Sequence, residues 1–336
     1  MNIIKEKWLF LNATLDYAPK QIKKLHKFGL DVLAGQSIVS LRANARLTAL
    51  PWATAKSKAW RLTKNARFAS VFEAMATELA PVSTSDIVAV DFSDFGNGLQ
   101  VLMFAKQTKR GRALPLWFDV LPYPVTENSQ NTFISNAVKK FETIFGCKPT
   151  LVFDRGFACP SIVRFLRENQ WKFVIRVKAG KHFIATETGT EFAARSAAKN
   201  DQKVLAYETE LRLIVSDKKD GVAEPWYLIT DDRETIREEI IKIYYHRFEI
   251  EEFFRDAKRL LGLEWVTWKN KTSLAVTLWF AILGIWCLWH IAGLQDELAE
   301  QARKKMKLSQ IRYAFELLRR EVVCAAEGKY LHSYDV

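Results

Sequence analysis

Cysteine is scarce in this chain, with four in 336 residues. Cys147, Cys159, Cys287 and Cys324 lie far apart and show no Cys-x-x-Cys or Cys/His ligand spacing. This argues against a disulfide framework and a zinc site, and for reduced thiols in a cytosolic protein. Glycine is also sparse, at 14 residues, and no Gly-rich phosphate loop occurs, so no nucleotide cofactor is expected. Asp94-Phe95-Gly96 copies a kinase tripeptide, but no Ala-x-Lys or His-Arg-Asp accompanies it. Met-Asn-Ile-Ile-Lys-Glu-Lys at the N-terminus has no apolar run leading to a small-residue cleavage site, so secretion is not expected. Internal repeats and low-complexity segments are missing as well.

Acidic residues are the other deficit. The net charge is +12 and the pI about 9.4, a basic field that draws in nucleic acid or an anionic membrane. Residues 1–80 carry thirteen Lys and Arg against five Asp and Glu, which places +8 of the +12 there. Charge is missing altogether from Thr272 to Leu294. That length would cross a bilayer, but Ser273, Thr277, Gly284, His290 and Gly293 interrupt the stretch and a charged helix precedes it. A buried core helix is the expectation, with no membrane partner; a membrane span is the competing reading.

Residues 1–80 read as a basic helical region suited to DNA. Pro19 opens a helix through Phe28, Gly29 and Gly35 break it, Ser37 begins a run through Leu47, and Trp52 to Phe72 adds at least one more helix. After Pro81 the period changes. Ile87 to Asp91, Leu99 to Ala105 and Leu114 to Leu121 are strand-like and separated by Gly and Lys-Arg-Gly turns. An amphipathic helix, Ser129 to Phe145, leads to a second apolar run ending in Asp, Thr150 to Asp154; a helix over 160–170 and a strand from Trp171 to Val177 follow. This meander, helix, strand, helix, strand order is that of a ribonuclease-H-like α/β fold. The polar stretch after Lys178 holds strands at Val204 to Glu210 and Leu211 to Ser216, and Trp226 to Thr230 resumes the apolar pattern. Arg303 to Lys307 is a local basic run, and Ile311 to Cys324 reads as a closing helix. The division expected is a basic helical DNA-binding region over 1–80, a catalytic core over 81–178 and 225–294, a β-rich insertion over 179–224 and a helical C-terminal region over 295–336.

Residues 244–258 carry the chemistry. On one continuous helix, Tyr244, Arg247, Glu251 and Lys258 fall at about 0°, −60°, −20° and −40° and form a stripe on the non-core edge. Ile243, Ile250, Phe253, Phe254, Ala257 and Leu261 gather on an arc roughly 120° away. Asp91 and Asp154 close two apolar runs of one expected sheet, and open α/β sheets place their chemistry at such strand ends. Converging with Glu251, they would repel by about 4 kcal/mol per pair at an effective dielectric near 20, so the cluster needs cations. An oxygen-only donor set selects Mg²⁺ or Mn²⁺, and two such ions suit phosphodiester chemistry. Asp94 competes with Asp91 but has the poorer register with the apolar run. Glu252 competes with Glu251 but lies about 100° around the helix.

These residues resemble the bacterial insertion-sequence transposases of family four, the cut-and-paste class with a DDE active site. Val90-Asp91-Phe92-Ser93-Asp94, Phe153-Asp154-Arg155-Gly156-Phe157 and Tyr244-x2-Arg247-x3-Glu251-x6-Lys258 carry the likeness, which extends loosely from residue 36 to Trp289. The last motif fixes four residue types at four spacings and is the specific one. The resemblance implies that Asp91, Asp154 and Glu251 bind the catalytic Mg²⁺ or Mn²⁺ ions, and that Tyr244, Arg247 and Lys258 contact DNA phosphates beside the cleaved end. It further implies a β-rich insertion between Asp154 and Glu251, double-stranded transposon-end and target DNA as partners, and a dimer in the synaptic complex. Cleavage through a hairpin intermediate and a bacterial cytoplasmic, nucleoid-associated location follow from the same likeness. The first 35 residues fall outside it. The alternative function is a catalytically inactive or domesticated DNA-binding relative.

Overall fold

The structure is a computed structural model that describes residues 3–32, 44–45, 48, 50–122, 124, 129–217, 223–268, 270–294 and 297–326. Among the described residues the first long helices are α1 Ile3–Ala13, α2 Lys20–Val32, α3 Trp52–Thr63 and α4 Phe68–Leu79. The expected run from Ser37 to Leu47 lies largely outside the described residues. Gly29 does not break α2 as expected. A Cβ there would stand 2.3 Å from Phe280 Cζ, so the glycine gives the Phe280 ring room to press against the helix backbone.

One ten-stranded sheet follows, in the order β3-β2-β1-β4-β5-β10-β9-β8-β6-β7. One half of it is β1 Ile87–Asp94, β2 Leu99–Lys106, β3 Leu114–Pro122, β4 Thr150–Phe153 and β5 Phe173–Val177. The first three strands pair antiparallel, while β1, β4 and β5 run parallel. Helices α5 Ser129–Phe145 and α6 Pro160–Glu168 supply the crossovers. This is the ribonuclease-H-like α/β arrangement expected from the sequence. The central strands are apolar on both faces because both are covered. On β4 and β5, Leu151, Phe153, Phe173 and Ile175 enter the main core; Val152 and Val174 alternate to the other face. There they meet Ile240, Ile241 and Tyr244 of α7, Arg237–Tyr245.

The stretch after Lys178 continues this sheet. Strands β6 His182–Ala185, β7 Glu191–Ala193, β8 Asp201–Ala206 and β9 Thr209–Val215 join it through β10, Tyr227–Thr230, which pairs antiparallel with both β5 and β9. The first two of these strands were not foreseen.

Residues 244–258 are not one continuous helix. After α7 come a 3-10 turn at His246–Phe248, a short α8 at Glu249–Arg255 and a π-helical turn at Asp256–Leu260. The apolar stretch is α9, Lys271–Gly293, capped by the Asn270 side chain accepting from the Ser273 N–H at 2.9 Å. It is long and apolar enough to cross a membrane, yet most of it is buried in protein, against α1, α3, α4 and β3. Trp279 stacks on Phe72 at 5.2 Å and Trp286 Nε1 donates to the Pro115 carbonyl at 2.7 Å. Thus α9 joins the N-terminal helices to the sheet. Helices α10 Glu297–Lys305 and α11 Gln310–Ala326 close the described chain.

Candidate active site

Strand register brings the two aspartates together. The β1–β4 ladder runs parallel and its last pair is Val90 with Phe153. Asp91 and Asp154 each take the next position, along neighbouring strands spaced roughly 5 Å apart. Asp154 follows β4 as expected. Asp91 does not end its strand, because β1 continues to Asp94 along β2, with Asp91 opposite Met103.

The stripe on the 244–258 segment faces this pair and is not an exposed edge. Tyr244 and Arg247 are both buried. Arg247 forks between two carboxylates: Nη1 donates to Asp91 Oδ2 at 3.0 Å and Nη2 to Glu251 Oε1 at 2.7 Å. The Tyr244 hydroxyl donates to Asp154 Oδ1 at 3.2 Å. These are two hydrogen-bonded sets, Asp91–Arg247–Glu251 and Tyr244–Asp154, side by side, with the Arg247 guanidinium 5.6 Å from the Tyr244 ring centroid. Lys258 leaves the stripe, because the π-helical turn shifts the helix phase. It sits 5.0 Å from the Phe95 ring centroid, with Asp94 and Glu264 as its acidic neighbours.

Burial pushes the Asp91 carboxyl up to about 6; Arg247 and the Phe92 N–H pull it down, while Asp154 and Glu251 add to the rise. Burial also lifts the Tyr244 phenol to about 12. Arg247 is drawn down by burial but held up by Tyr244, Asp91, Asp154 and Glu251, with a net rise. Its Nε is a buried donor with no partner. Arg247 thus pairs with two of the three carboxylates, and the third, Asp154, is met by the Tyr244 hydroxyl.

The donor set fits a hard divalent ion, since all three side chains offer oxygen and Glu251 is about half exposed. As they stand the three do not converge on one point. Among the described residues no group of three His, Cys, Asp or Glu side chains is close enough to ligate a metal together, because Arg247 occupies the space between Asp91 and Glu251.

The rival assignments point elsewhere. Asp94 accepts from the Gly96 N–H at 2.6 Å and shapes the β1–β2 turn, and Glu252 pairs with Arg112 and Arg255. Sequence reading missed Arg176, a half-buried cation on β5 whose charge reaches Tyr244. Its one signal was a lone charge inside the apolar run Phe173 to Val177. Also missed was the β8–β9 tip, where Tyr207 and Glu208 both have positive φ, at 53° and 64°. From there the Tyr207 hydroxyl donates to the Ala158 carbonyl at 3.2 Å and Glu208 pairs with Arg164 at 2.7 Å, holding the loop that follows Asp154.

No curated protein matches the sequence. Solved structures similar to this chain include the piggyBac transposase synaptic complex with hairpin DNA, at a TM-score of 0.46 and 12% identity over 100% of this chain and 80% of that one. Human ENDOV is similar at a TM-score of 0.29 and 11% identity over 72% of this chain and 95% of that one. An A. aeolicus Argonaute gives 0.25 and 10% over 69% and 34%. Residues 113–288 match the family described as Transposase DDE domain, a span that holds Asp154, Tyr244, Arg247, Glu251 and Lys258 and leaves Asp91 outside it. That match covers just over half of the sequence, and the chain belongs to the transposase DDE domain family.

Proposed function

We propose that this protein is a DNA transposase of the insertion-sequence family-four type, which cuts phosphodiesters at its element's ends and joins the freed 3′ ends to target DNA. The observation that carries the reading is the Asp91–Arg247–Glu251 bridge beside Asp154 on the neighbouring strand. Asp91, Asp154 and Glu251 would hold two Mg²⁺ or Mn²⁺ ions. When bound, such ions activate an attacking hydroxyl and stabilise the leaving oxygen of a phosphodiester.

The chain's own groups have definite parts in this. The Phe92 N–H and Arg247 fix the Asp91 carboxylate in orientation. Tyr244 holds Asp154 through its hydroxyl. In this reading Arg247 would also meet a DNA phosphate beside the cleaved end, for which its planar fork is suited. Lys258, offset beside Asp94, would meet a phosphate farther along the strand. The family resemblance supports a hairpin intermediate and a dimeric synaptic complex.

DNA is held in this reading by residues 1–80. From Val32 through Phe72 the sequence contains no acid, and α3 exposes Lys56, Arg61, Trp52 and Trp60 while burying Ala55, Ala59 and Leu62. The remaining division is a core over 81–178 and 225–294, an insertion over 179–224 and a C-terminal helical region over 295–336. The location is the bacterial cytoplasm, at the nucleoid. The test is incubation of purified protein with DNA carrying the inverted repeats that flank its gene. Mg²⁺- or Mn²⁺-dependent nicking at the repeat ends is the expected result; binding without nicking would leave a non-catalytic DNA-binding protein.

A further inference from the structure

The seven residues of α8 lie between a 3-10 turn and a π-helical turn. So short a helix has no fixed direction of its own. Glu251 has its contact to Arg247 and is about half exposed, so its position relative to Asp91 depends on what holds α8. One face is held by the turn between β2 and β3, residues 107–113.

The central contact is Glu249, a buried carboxylate two positions before Glu251. Its Oε2 accepts from the Thr108 N–H at 2.8 Å and its Oε1 from the Gly111 N–H at 3.1 Å; His246 Nδ1 is 3.2 Å from Oε1. The Glu249 carbonyl accepts from the Ala113 N–H at 3.1 Å. Gly111 has a φ of 80°, which a side chain would strain. A second arm comes from Arg112, whose Nε donates to Asp256 at 2.7 Å and whose Nη1 lies 3.0 Å from Glu252. Gln107 Nε2 adds a bond to the Ile243 carbonyl at 2.9 Å. One turn thus grips positions 243, 249, 252 and 256. The opposite edge of the segment carries Arg247 and Glu251 toward Asp91.

Burying an ionised carboxylate costs several kcal/mol unless hydrogen bonds replace its water, and here two backbone N–H groups of one turn do so. We infer that Glu249 is a positioning residue: through the β2–β3 turn it fixes the distance of Glu251 from Asp91, and so sets the affinity for the divalent ions. The inference rests on the transposase reading above. Outer partners of metal ligands typically change metal affinity by about 10- to 100-fold when removed.

Glu249→Gln keeps the size of the side chain but turns one acceptor into a donor facing a backbone N–H. The full-length variant should raise the Mn²⁺ concentration for half-maximal cleavage about tenfold. It should weaken Mn²⁺ binding, read by paramagnetic resonance of the free ion without DNA, by the same factor. Excess Mn²⁺ should restore cleavage, with KM for DNA and circular dichroism unchanged. Arg112→Gln should act in the same direction but more weakly, and it decides the matter if Glu249→Gln does not fold. Wild-type Mn²⁺ midpoints in the folded variant overturn the inference. So does a loss that tracks the unfolded fraction and resists added Mn²⁺. If the wild type binds no Mn²⁺ and cuts nothing, the transposase reading itself fails; if it does both and the variants match it, only the role of Glu249 falls.

Discussion

Two buried basic side chains organise this protein, and they meet burial in opposite ways. Arg247 sits among Asp91, Asp154 and Glu251 and keeps its charge. His26 is fully buried between Phe68, Phe72 and Phe280, with ring centroids 5.4 to 5.9 Å away. Its Nε2 lies 3.1 Å from the Thr14 hydroxyl, its Nδ1 has no partner, and burial lowers it to about 4. A charge that cannot lose its proton demands counter-charge, and carboxylates gather around it. A group that can lose its proton does so, and its surroundings become plain aromatic core.

Removing the counter-charges should have the largest effect. Asp91→Ala, Asp154→Ala and Glu251→Ala should each abolish cleavage and leave DNA binding intact, because in the proposed reading they would delete metal ligands and not phosphate contacts. Gel-shift and nicking assays on the same preparations check this. Full nicking by any of the three removes that residue from the site. Asp94→Ala and Glu252→Ala should be far milder.

Arg247→Ala comes next and separates it from Lys258. Loss of one partner from a buried ion pair costs about 3–5 kcal/mol, so the variant should melt lower and also need a different Mn²⁺ concentration. Arg247→Lys should not rescue it, since an ammonium cannot fork between Asp91 and Glu251. Lys258→Ala should leave first-strand nicking measurable and depress hairpin formation or opening. Equal loss of nicking in both, without rescue by Mn²⁺, would put Lys258 back in the same support as Arg247.

On the aromatic side, Gly29→Ala tests packing alone. The new Cβ would meet Phe280 atoms at 2.3 to 2.8 Å, and overpacking of this kind costs about 1–3 kcal/mol. Chemical denaturation should show that loss with the Mn²⁺ dependence of nicking unchanged. A melting curve like the wild type's would mean that Phe280 moves aside freely.

These two regions were not equally legible in the sequence. The strands around Asp91 and Asp154 announced themselves because both faces are buried and the apolar runs are unbroken. The spacing of Tyr244, Arg247 and Glu251 was readable because their side chains do converge. A single helical period could not anticipate the 3-10 and π-helical turns, and these turns take Lys258 out of the stripe. Glu249 carried no signal, since nothing local reveals that backbone N–H groups from another hairpin will enclose it. Gly29 read as a helix breaker because its partner, Phe280, lies on the far side of the chain. His26 gave no signal among the lysines of a basic helix.

The acid response of His26 is expected only below neutral pH, and its sign follows from the two protonation states. The unfolded imidazole titrates near 6.5 and the folded one at about 4, so between these values the unfolded state binds the extra proton. The stability is fully present above pH 6.5 and is lost as pH falls toward 4, reaching about 2 kcal/mol at pH 5. Asp91 acts in the reverse sense without metal: its carboxyl is raised to about 6, so stability falls as pH rises from 4 to 6. Wild type alone would show the two partly cancelled. His26→Gln retains a hydrogen-bonding group toward Thr14 and cannot take the proton, while Asp91 is common to both proteins. The difference in unfolding free energy between wild type and His26→Gln should therefore shift by about 2 kcal/mol between pH 7 and pH 5, against the wild type at the acid end. Parallel curves for the two proteins would mean that His26 is already protonated in the fold or reaches water, and that the aromatic region does not depend on a neutral imidazole.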